Sequence, residues 1–284
     1  AVDPIFPVCE VSTKIMRIFS NIIVFIWPAR QAGNFIAKSY EKPDSIEIMA
    51  KGQNDFVTNI DKKAEQIIIE VIQKSYPTHT IITEESGQIL GEKNDIQWVI
   101  DPLDGTTNFT KRLPHFSVSI AVRINGRTEV ATIYNPMLNE LFTAVRGQGA
   151  QLNGYRLRLK NTNELEGAII ATGFPFKAKQ HSAAYINIIA KLFKKCADFR
   201  RTGSAALDLA YVAAGRVDAF FEIGLKPWDF MAGELLVREA GGIITDFVGG
   251  HNYLCSGNLL AGSPRMVKKM VPEIQTELSD PLKS

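Results

Sequence analysis

The strongest constraint on the fold of this 284-residue chain is a change of rhythm partway along it. From Phe116 to Arg123 apolar and polar residues alternate, with Phe116, Val118, Ile120 and Val122 on one face. Asn125-Gly126 then supplies a tight hairpin turn, and Glu129 to Tyr134 returns. Leu141 to Val145 and a strand after Gly149 extend an antiparallel meander. Beyond it, strands and helices alternate: strand 168–171, helices 183–195 and 204–214, strand 217–223, helix 230–240, strands 243–246 and 259–262, and a last helix from Pro264. Such alternation implies an α/β layer, so the whole reads as sheets sandwiched between helix layers. Nothing rich in Gly, Ser or Pro forces a boundary. The expectation is one domain over 1–284, with sub-layers at about 1–160 and 161–284.

The front of the chain adds helices. Residues Asp61 to Tyr76 place Ala64, Ile67, Ile68, Val71 and Ile72 on one stripe, and Thr58 with Asp61 suits a capping box. Ile15, Ile18, Ile22 and Ile26 share a helical face, and Pro28 should bend or end that helix. The apolar run 18–27 faintly mimics a secretory signal, but Ser20 and Asn21 break it and it is too short to span a bilayer. Cys9, Cys196 and Cys255 form no C-x-x-C pair, which fits a reducing, cytoplasmic setting without structural zinc. With 32 basic and 30 acidic residues, the net charge of +2 argues against whole-protein attraction to nucleic acid or membrane. The Arg200-Arg201 pair is too short for a nucleic-acid patch.

The densest chemical signal is Asp101-Pro102-Leu103-Asp104-Gly105-Thr106-Thr107-Asn108-Phe109, which begins where the apolar strand 98–100 ends. Two carboxylates three apart across a Pro-containing turn can converge, and the Leu103 carbonyl can share their space. Such hard oxygen donors suit magnesium better than zinc or copper. If Gly105-Thr106-Thr107 opens a helical turn, its amides would hold phosphate oxygens. A bland reading is an Asx-type turn. Thr83-Glu84-Glu85-Ser86-Gly87 reads equally as a solvated loop, and Asp229, in Pro227-Trp228-Asp229, as an N-cap. His79, His115, His181 and His251 show no ligand spacing and read as surface or packing residues.

Taken together, these strings resemble the inositol monophosphatase family: its Glu-Glu pair, its D-P-x-D-G-T-x-N-F signature, and its W-D-x-x-A-G-x-L-L-V-x-E-A-G-G signature, here Trp228 to Gly242. The likeness runs from about Ala29 to the carboxyl end with the motifs in family order. It implies a layered αβαβα sandwich of the sugar-phosphatase type and magnesium-dependent hydrolysis of inositol monophosphate, an inositol-1-monophosphatase activity sensitive to lithium. Glu84, Asp101 and the Leu103 carbonyl would hold one Mg2+; Asp101, Asp104 and Asp229 would hold a second; a weaker third would sit near Glu84. Thr106 and Glu84 would position the attacking water, with Asp61 supporting Thr106. The resemblance places phosphate on the Gly105 and Thr106 amides, substrate contacts at Leu103, Asp104 and Asp229, and inositol hydroxyls at Ser204, Ala205 and Glu222. Arg200 lies at a substrate-side position of closer relatives, while Lys51 and Glu85 are further candidates.

From Phe56 through Gly262 the chain is similar to an enterobacterial branch of the family that also serves ribosomal-RNA transcription antitermination. That likeness implies a homodimer and possible docking to transcription-elongation factors on RNA polymerase. Another sugar phosphate or a nucleotide phosphate is the competing substrate.

Overall fold

The computed structural model describes residues 22–42, 46–52, 55–160, 164–175, 178–278 and 282. The path opens with α1 (Ile22–Tyr40), a hairpin of β1 (Ile48–Gly52) and β2 (Asp55–Thr58), and α2 (Asn59–Ser75). It continues through β3 (His79–Thr83), β4 (Gly87–Ile89), the long β5 (Lys93–Asp104) and the helical turn α3 (Thr106–Thr110). The meander follows as β6 (Ser117–Ile124), β7 (Arg127–Asn135), β8 (Glu140–Val145), β9 (Gly149–Leu152) and β10 (Tyr155–Arg156). The alternating half is β11 (Ile169–Thr172), α4 (Ser182–Phe193), β12 (Asp198–Arg200), α5 (Ala205–Ala213) and β13 (Ala219–Glu222). It ends with α6 (Pro227–Glu239), β14 (Ile243–Thr245), α7 (Tyr253–Ser256), β15 (Leu259–Gly262) and α8 (Pro264–Gln275).

Burial sorts these elements into five layers. On one face of the eight-stranded sheet, Trp98, Ile100, Val118 and Ile120 pack with Phe25 and Ala29 of α1 and Ile68 and Ile72 of α2. On its other face, Val99, Ala121 and Ile133 meet Leu209 of α5 and Leu235 and Leu236 of α6. Those two helices also cover Phe220 and Ala261, on the inner face of the five-stranded sheet. Its outer face, carrying Ala219, Phe221 and Leu260, packs on Tyr185 and Ile188 of α4 and Met266 and Met270 of α8. Ala219, Phe220 and Phe221 alternate between cores, as the two-residue strand period requires.

This layering alters several sequence expectations. Strand β6 is buried on both faces along Ser117–Val122, because the middle helices cover the side that would otherwise meet water. The first sheet is also not purely antiparallel: β3 runs parallel to β5, with Thr83 beside Ile100. Proline 28 does not end the first helix, since α1 passes through it to Tyr40. Phe25, Ala29, Ala32 and Ile36, all buried, hold the helix against the sheet across the missing donor. Ile15, Ile18 and Cys9 lie outside the described residues. The Asn125-Gly126 turn forms as expected, with positive φ at both residues, 50° and 79°. No helix among the described residues is long and apolar enough to cross a membrane.

The middle layer needs its small residues. A Cβ added to Gly233 of α6 would stand 2.5 Å from Leu209 Cβ of α5, so glycine sets the approach of the two helices. Gly233→Val should therefore lower the unfolding free energy by about 1–3 kcal/mol through overpacking, read from chemical denaturation midpoints. An unchanged midpoint would deny this close crossing.

Candidate active site

Side chains three apart on a regular strand face opposite sides, yet Asp101 and Asp104 share one. Asp101 pairs with Ser119 of β6 and Asp104 with Ser117, so one extra residue is accommodated on β5 between them. This bulge at Pro102-Leu103 restores their parity. The shared face is that of the middle helices, because Ser119 Oγ donates to the Trp228 carbonyl of α6 at 3.3 Å. Parallel pairing brings in Glu84. Its amide donates to the Ile100 carbonyl at 3.3 Å, which sets it beside Asp101. The fourth acid comes from α6. Asp229 lies in the first turn of the helix, after Pro227, rather than as its N-cap; its Oδ2 accepts from the amide of the N-cap residue Lys226 at 2.7 Å.

These acids feel one another. Asp101, 2% exposed, is held well above the usual carboxylate range, chiefly by burial and then by the charges of Glu84, Asp104 and Asp229. Asp104 is pushed up to about 6, chiefly by burial and also by Glu84; hydrogen bonds from Ser204 Oγ (2.6 Å) and the Ala206 amide (2.8 Å) pull the other way. Asp101 Oδ1 accepts from the Leu103 amide at 3.0 Å. Asp101, Asp104 and Asp229 are each turned to a local donor, and among the described residues no three His, Cys, Asp or Glu side chains are drawn into a closed metal cage. The donor set still suits a hard divalent cation. The charges of Glu84, Asp104 and Asp229 raise the proton affinity of Asp101, that of Glu84 raises Asp104's, and like charges so placed favour a cation of high charge and oxygen preference.

Next to them stands a second acid–hydroxyl system. Thr106 Oγ1 lies 2.8 Å from Asp61 Oδ1 and 3.1 Å from the Leu103 carbonyl, so its one proton serves two acceptors. The other Asp61 oxygen accepts from the Thr58 amide at 2.8 Å and from its hydroxyl, closing the capping box of α2. Capping and the contact with Thr106 therefore use separate oxygens of the same residue. Burial raises the Asp61 pKa, against the pull of its hydrogen bonds from Thr58 and Thr106. Gly105 precedes α3 with φ 98°, and a Cβ there would meet the His115 carbonyl at 3.1 Å, so the turn demands glycine twice over.

On the far side, Ser204 caps α5, accepting from the Leu207 amide at 3.3 Å while its hydroxyl donates to Asp104. Ala205 is the first residue of that helix. Glu222 ends β13, and its carboxyl is raised well above the ordinary range by burial, then by Asp208 and Asp229, with Arg201 opposing. A Cβ on Gly173 would lie 2.1 Å from that carboxyl carbon, so glycine leaves its space. Arg200 is placed differently from expectation: exposed on edge strand β12, it pairs with Asp198 and donates to the Phe199 carbonyl at 2.8 Å. Its neighbour Arg201 is the basic residue whose charge reaches both Glu222 and Asp208. The backbone of Lys51 lies in β1, while its side chain is outside the described ones. Glu85 is half-buried on the loop after β3, its amide directed to Glu65.

Three residues that motif reading passed over tie the parts together. Asn108 Nδ2 donates to the His115 carbonyl at 2.7 Å and to the Thr202 carbonyl at 2.8 Å, joining the motif turn to the loop before α5. Asp208, 1% exposed, accepts from Thr202 Oγ1 at 2.8 Å. Glu65, 3% exposed on α2, receives the loop that carries Glu84. No sequence string announces Asp208 or Glu65, and the string that contains Asn108 does not show its partner Thr202, 94 residues on.

Two large sheets, three helix layers and clustered acids where strands end and helices start define an α/β fold of the sugar-phosphatase kind. Residues 22–279 match the inositol monophosphatase family as a whole, and the chain belongs to that family. It is 72% identical over 255 residues to the Nus factor SuhB of Escherichia coli K12, an alignment covering 90% of this chain and 96% of that one. The Nus factor SuhB of Salmonella typhimurium LT2 is 71% identical, with 92% and 98% covered. The crystal structure of extragenic suppressor protein suhB from Bartonella henselae matches with a TM-score of 0.88 at 39% identity, over 91% of this chain and all 100% of that one. Inositol monophosphatase from Anabaena sp. PCC 7120 matches at 0.80 and 32% identity, with 92% and 97% covered.

Removing the Asn108 bridge tests how the two loops are held. Asn108→Ala would leave two carbonyls without a side-chain donor and should cost about 2 kcal/mol of stability, on the usual scale for such losses. Urea denaturation checks this; a loss near zero would mean that the loops hold each other by other contacts.

Proposed function

We propose that the protein is a magnesium-dependent phosphomonoesterase whose substrate is inositol monophosphate. The observation that carries this reading is the convergence of Glu84, Asp101 and Asp104 on one face of the first sheet, with Asp229 coupled to them from the start of α6. Glu84, Asp101, the Leu103 carbonyl, Asp104 and Asp229 would hold two to three Mg2+ ions. When bound, they supply neutralisation of phosphate charge and a more acidic water. The protein's own groups do the positioning. Thr106, steadied by Asp61, and Glu84 would orient the attacking water in line with the ester bond. The Gly105 and Thr106 amides would receive phosphate oxygens, since the first amides of a helical turn have no carbonyl partner within it. Asp104 and Asp229 would border the phosphate. Ser204, Ala205 and Glu222 would meet the substrate's hydroxyls, Glu222 as an acceptor when ionised. Arg201 stands nearer that group than Arg200 in electrostatic effect. The closing half of the site comes from α5, which Asp104 itself anchors. Inhibition by lithium, a homodimer and a cytoplasmic setting belong to the same proposal.

Relatives 72% and 71% identical carry the name Nus factor, which supports a second role. Docking to transcription-elongation factors on RNA polymerase would use the outer surface and leave the acid cluster free. The two roles are compatible.

Purified protein should release phosphate from inositol 1-phosphate only with Mg2+, with lithium inhibiting. Asp104→Asn should lower kcat/KM by roughly 10²-fold or more, the scale of losing one group that stabilises transition-state charge. The same variant should still bind elongation factors in a pull-down. Wild-type protein without Mg2+-dependent phosphatase activity on a panel of sugar and nucleotide phosphates would remove the enzymatic reading.

A further inference from the structure

Glu65 sits one and a half turns into α2, on a helix whose apolar stripe packs on the first sheet. It lies on the buried side of that helix, one turn before Ile68 and two before Ile72, where a charged group needs partners. Here it is 3% exposed. A carboxylate is buried at a cost of several kcal/mol unless donors surround it. Glu65 is so surrounded, and every donor comes from one short segment. Its Oε2 accepts from Thr83 Oγ1, from the Glu85 amide at 3.1 Å and from the Ser86 amide at 3.4 Å; its Oε1 accepts from Ser86 Oγ. Those donors flank Glu84 on both sides. The Glu84 amide itself is fixed on the Ile100 carbonyl at 3.3 Å, one residue before Asp101.

We infer that Glu65 is a positioning residue that clamps the Thr83–Ser86 segment so that the Glu84 carboxylate is presented to a divalent cation beside Asp101. This rests on the proposed metal-dependent reading of the site and deepens it. Segment 83–86 starts at the last β3 residue and turns into β4, with Thr83 paired to Ile100 on one side and to Gly87 on the other. Without the clamp, the turn that carries Glu84 would lose its side-chain anchor on α2, and cation binding would have to supply more of its order. With the clamp, that ordering is complete before the cation arrives. Glu65 touches neither cation nor substrate in this account. Its effect passes through backbone amides, and changes to such outer partners typically weaken metal affinity about 10–100-fold.

The test titrates full-length protein with MgCl2 and reads the thermal midpoint, alongside phosphatase activity. Glu65→Leu fills the space but accepts no hydrogen bond. It should raise the Mg2+ concentration for half-maximal thermal stabilisation by about tenfold or more. Its lost activity should return at saturating Mg2+ with KM for substrate near the wild-type value. Glu65→Gln, whose amide oxygen still accepts from Thr83, Glu85 and Ser86, should stay close to wild type in both readouts. A merely structural role would lower the metal-free midpoint and leave the Mg2+ requirement unchanged, and that result overturns the inference. Should Glu65→Leu fail to fold, the double variant Thr83→Val, Ser86→Ala removes two donors without orphaning any; an unchanged Mg2+ requirement there also overturns it. Wild-type protein that shows no Mg2+ stabilisation would refute the metal-dependent reading itself. A normal wild-type response with indifferent variants refutes only the role of Glu65.

Discussion

Burying like charges close together is the constraint on which the rest of this structure depends. Asp101 is almost wholly buried, and three other acids raise its proton affinity further. Such a cluster opposes folding unless its charges are offset by hydrogen bonds, dipoles or a cation. The fold meets this with local donors for Asp101, Asp104 and Asp229. Helix starts do part of the work. Asp61 and Asp229 each occupy the third position of a helix, and Asp104 accepts from an amide in the first turn of α5. Each helix N-terminus favours a nearby negative charge by about 0.3–1 kcal/mol. Three helices from two layers, α2 on one side of the first sheet and α5 and α6 on the other, thus point their positive ends at one place.

The layering explains how distant parts of the chain are brought to that place. A bulge in β5 turns Asp101 and Asp104 to the same side, and parallel β3 adds Glu84 at the matching level. The opposite wall comes from the middle helices, whose close crossing at Gly233 leaves room for both to reach the first sheet. Asn108 and Ser204 then stitch the two walls, one through carbonyls and one through Asp104. The site lies where strands end and helices begin because only there are backbone amides and short polar turns free to face a small charged ligand.

Much of this was legible in the sequence because the chemistry is concentrated in short strings. The strand-to-turn passage at Asp101–Thr106, the capping pair Thr58–Asp61 and the helix starting near Asp229 are local features, and local reading found them. What escaped is non-local. Glu65 carries no signal in the sequence because its partners lie 18 to 21 residues further on. Arg200 and Arg201 are indistinguishable by motif, and only the strand geometry of β12 separates the one paired with Asp198 from the one near Glu222. The burial of both faces of β6 could not be read from its alternation, since Ser117, Ser119 and Ala121 face a helix layer supplied by the other half of the chain. Pro28 does not end α1 for a similar reason: tertiary packing of the helix outweighs the local loss of one donor.

The central claim is that Glu84, Asp101, Asp104 and Asp229 act as one receptor for hard divalent cations. Crystals soaked in manganese, which shares magnesium's taste for oxygen ligands and scatters anomalously, test it most directly. The account predicts anomalous peaks among these four carboxylates and the Leu103 carbonyl, with the Asp104 and Asp229 side chains turned from their present amide donors toward the ion. Peaks confined to other surfaces, with the four acids left on the hydrogen bonds described above, would contradict it.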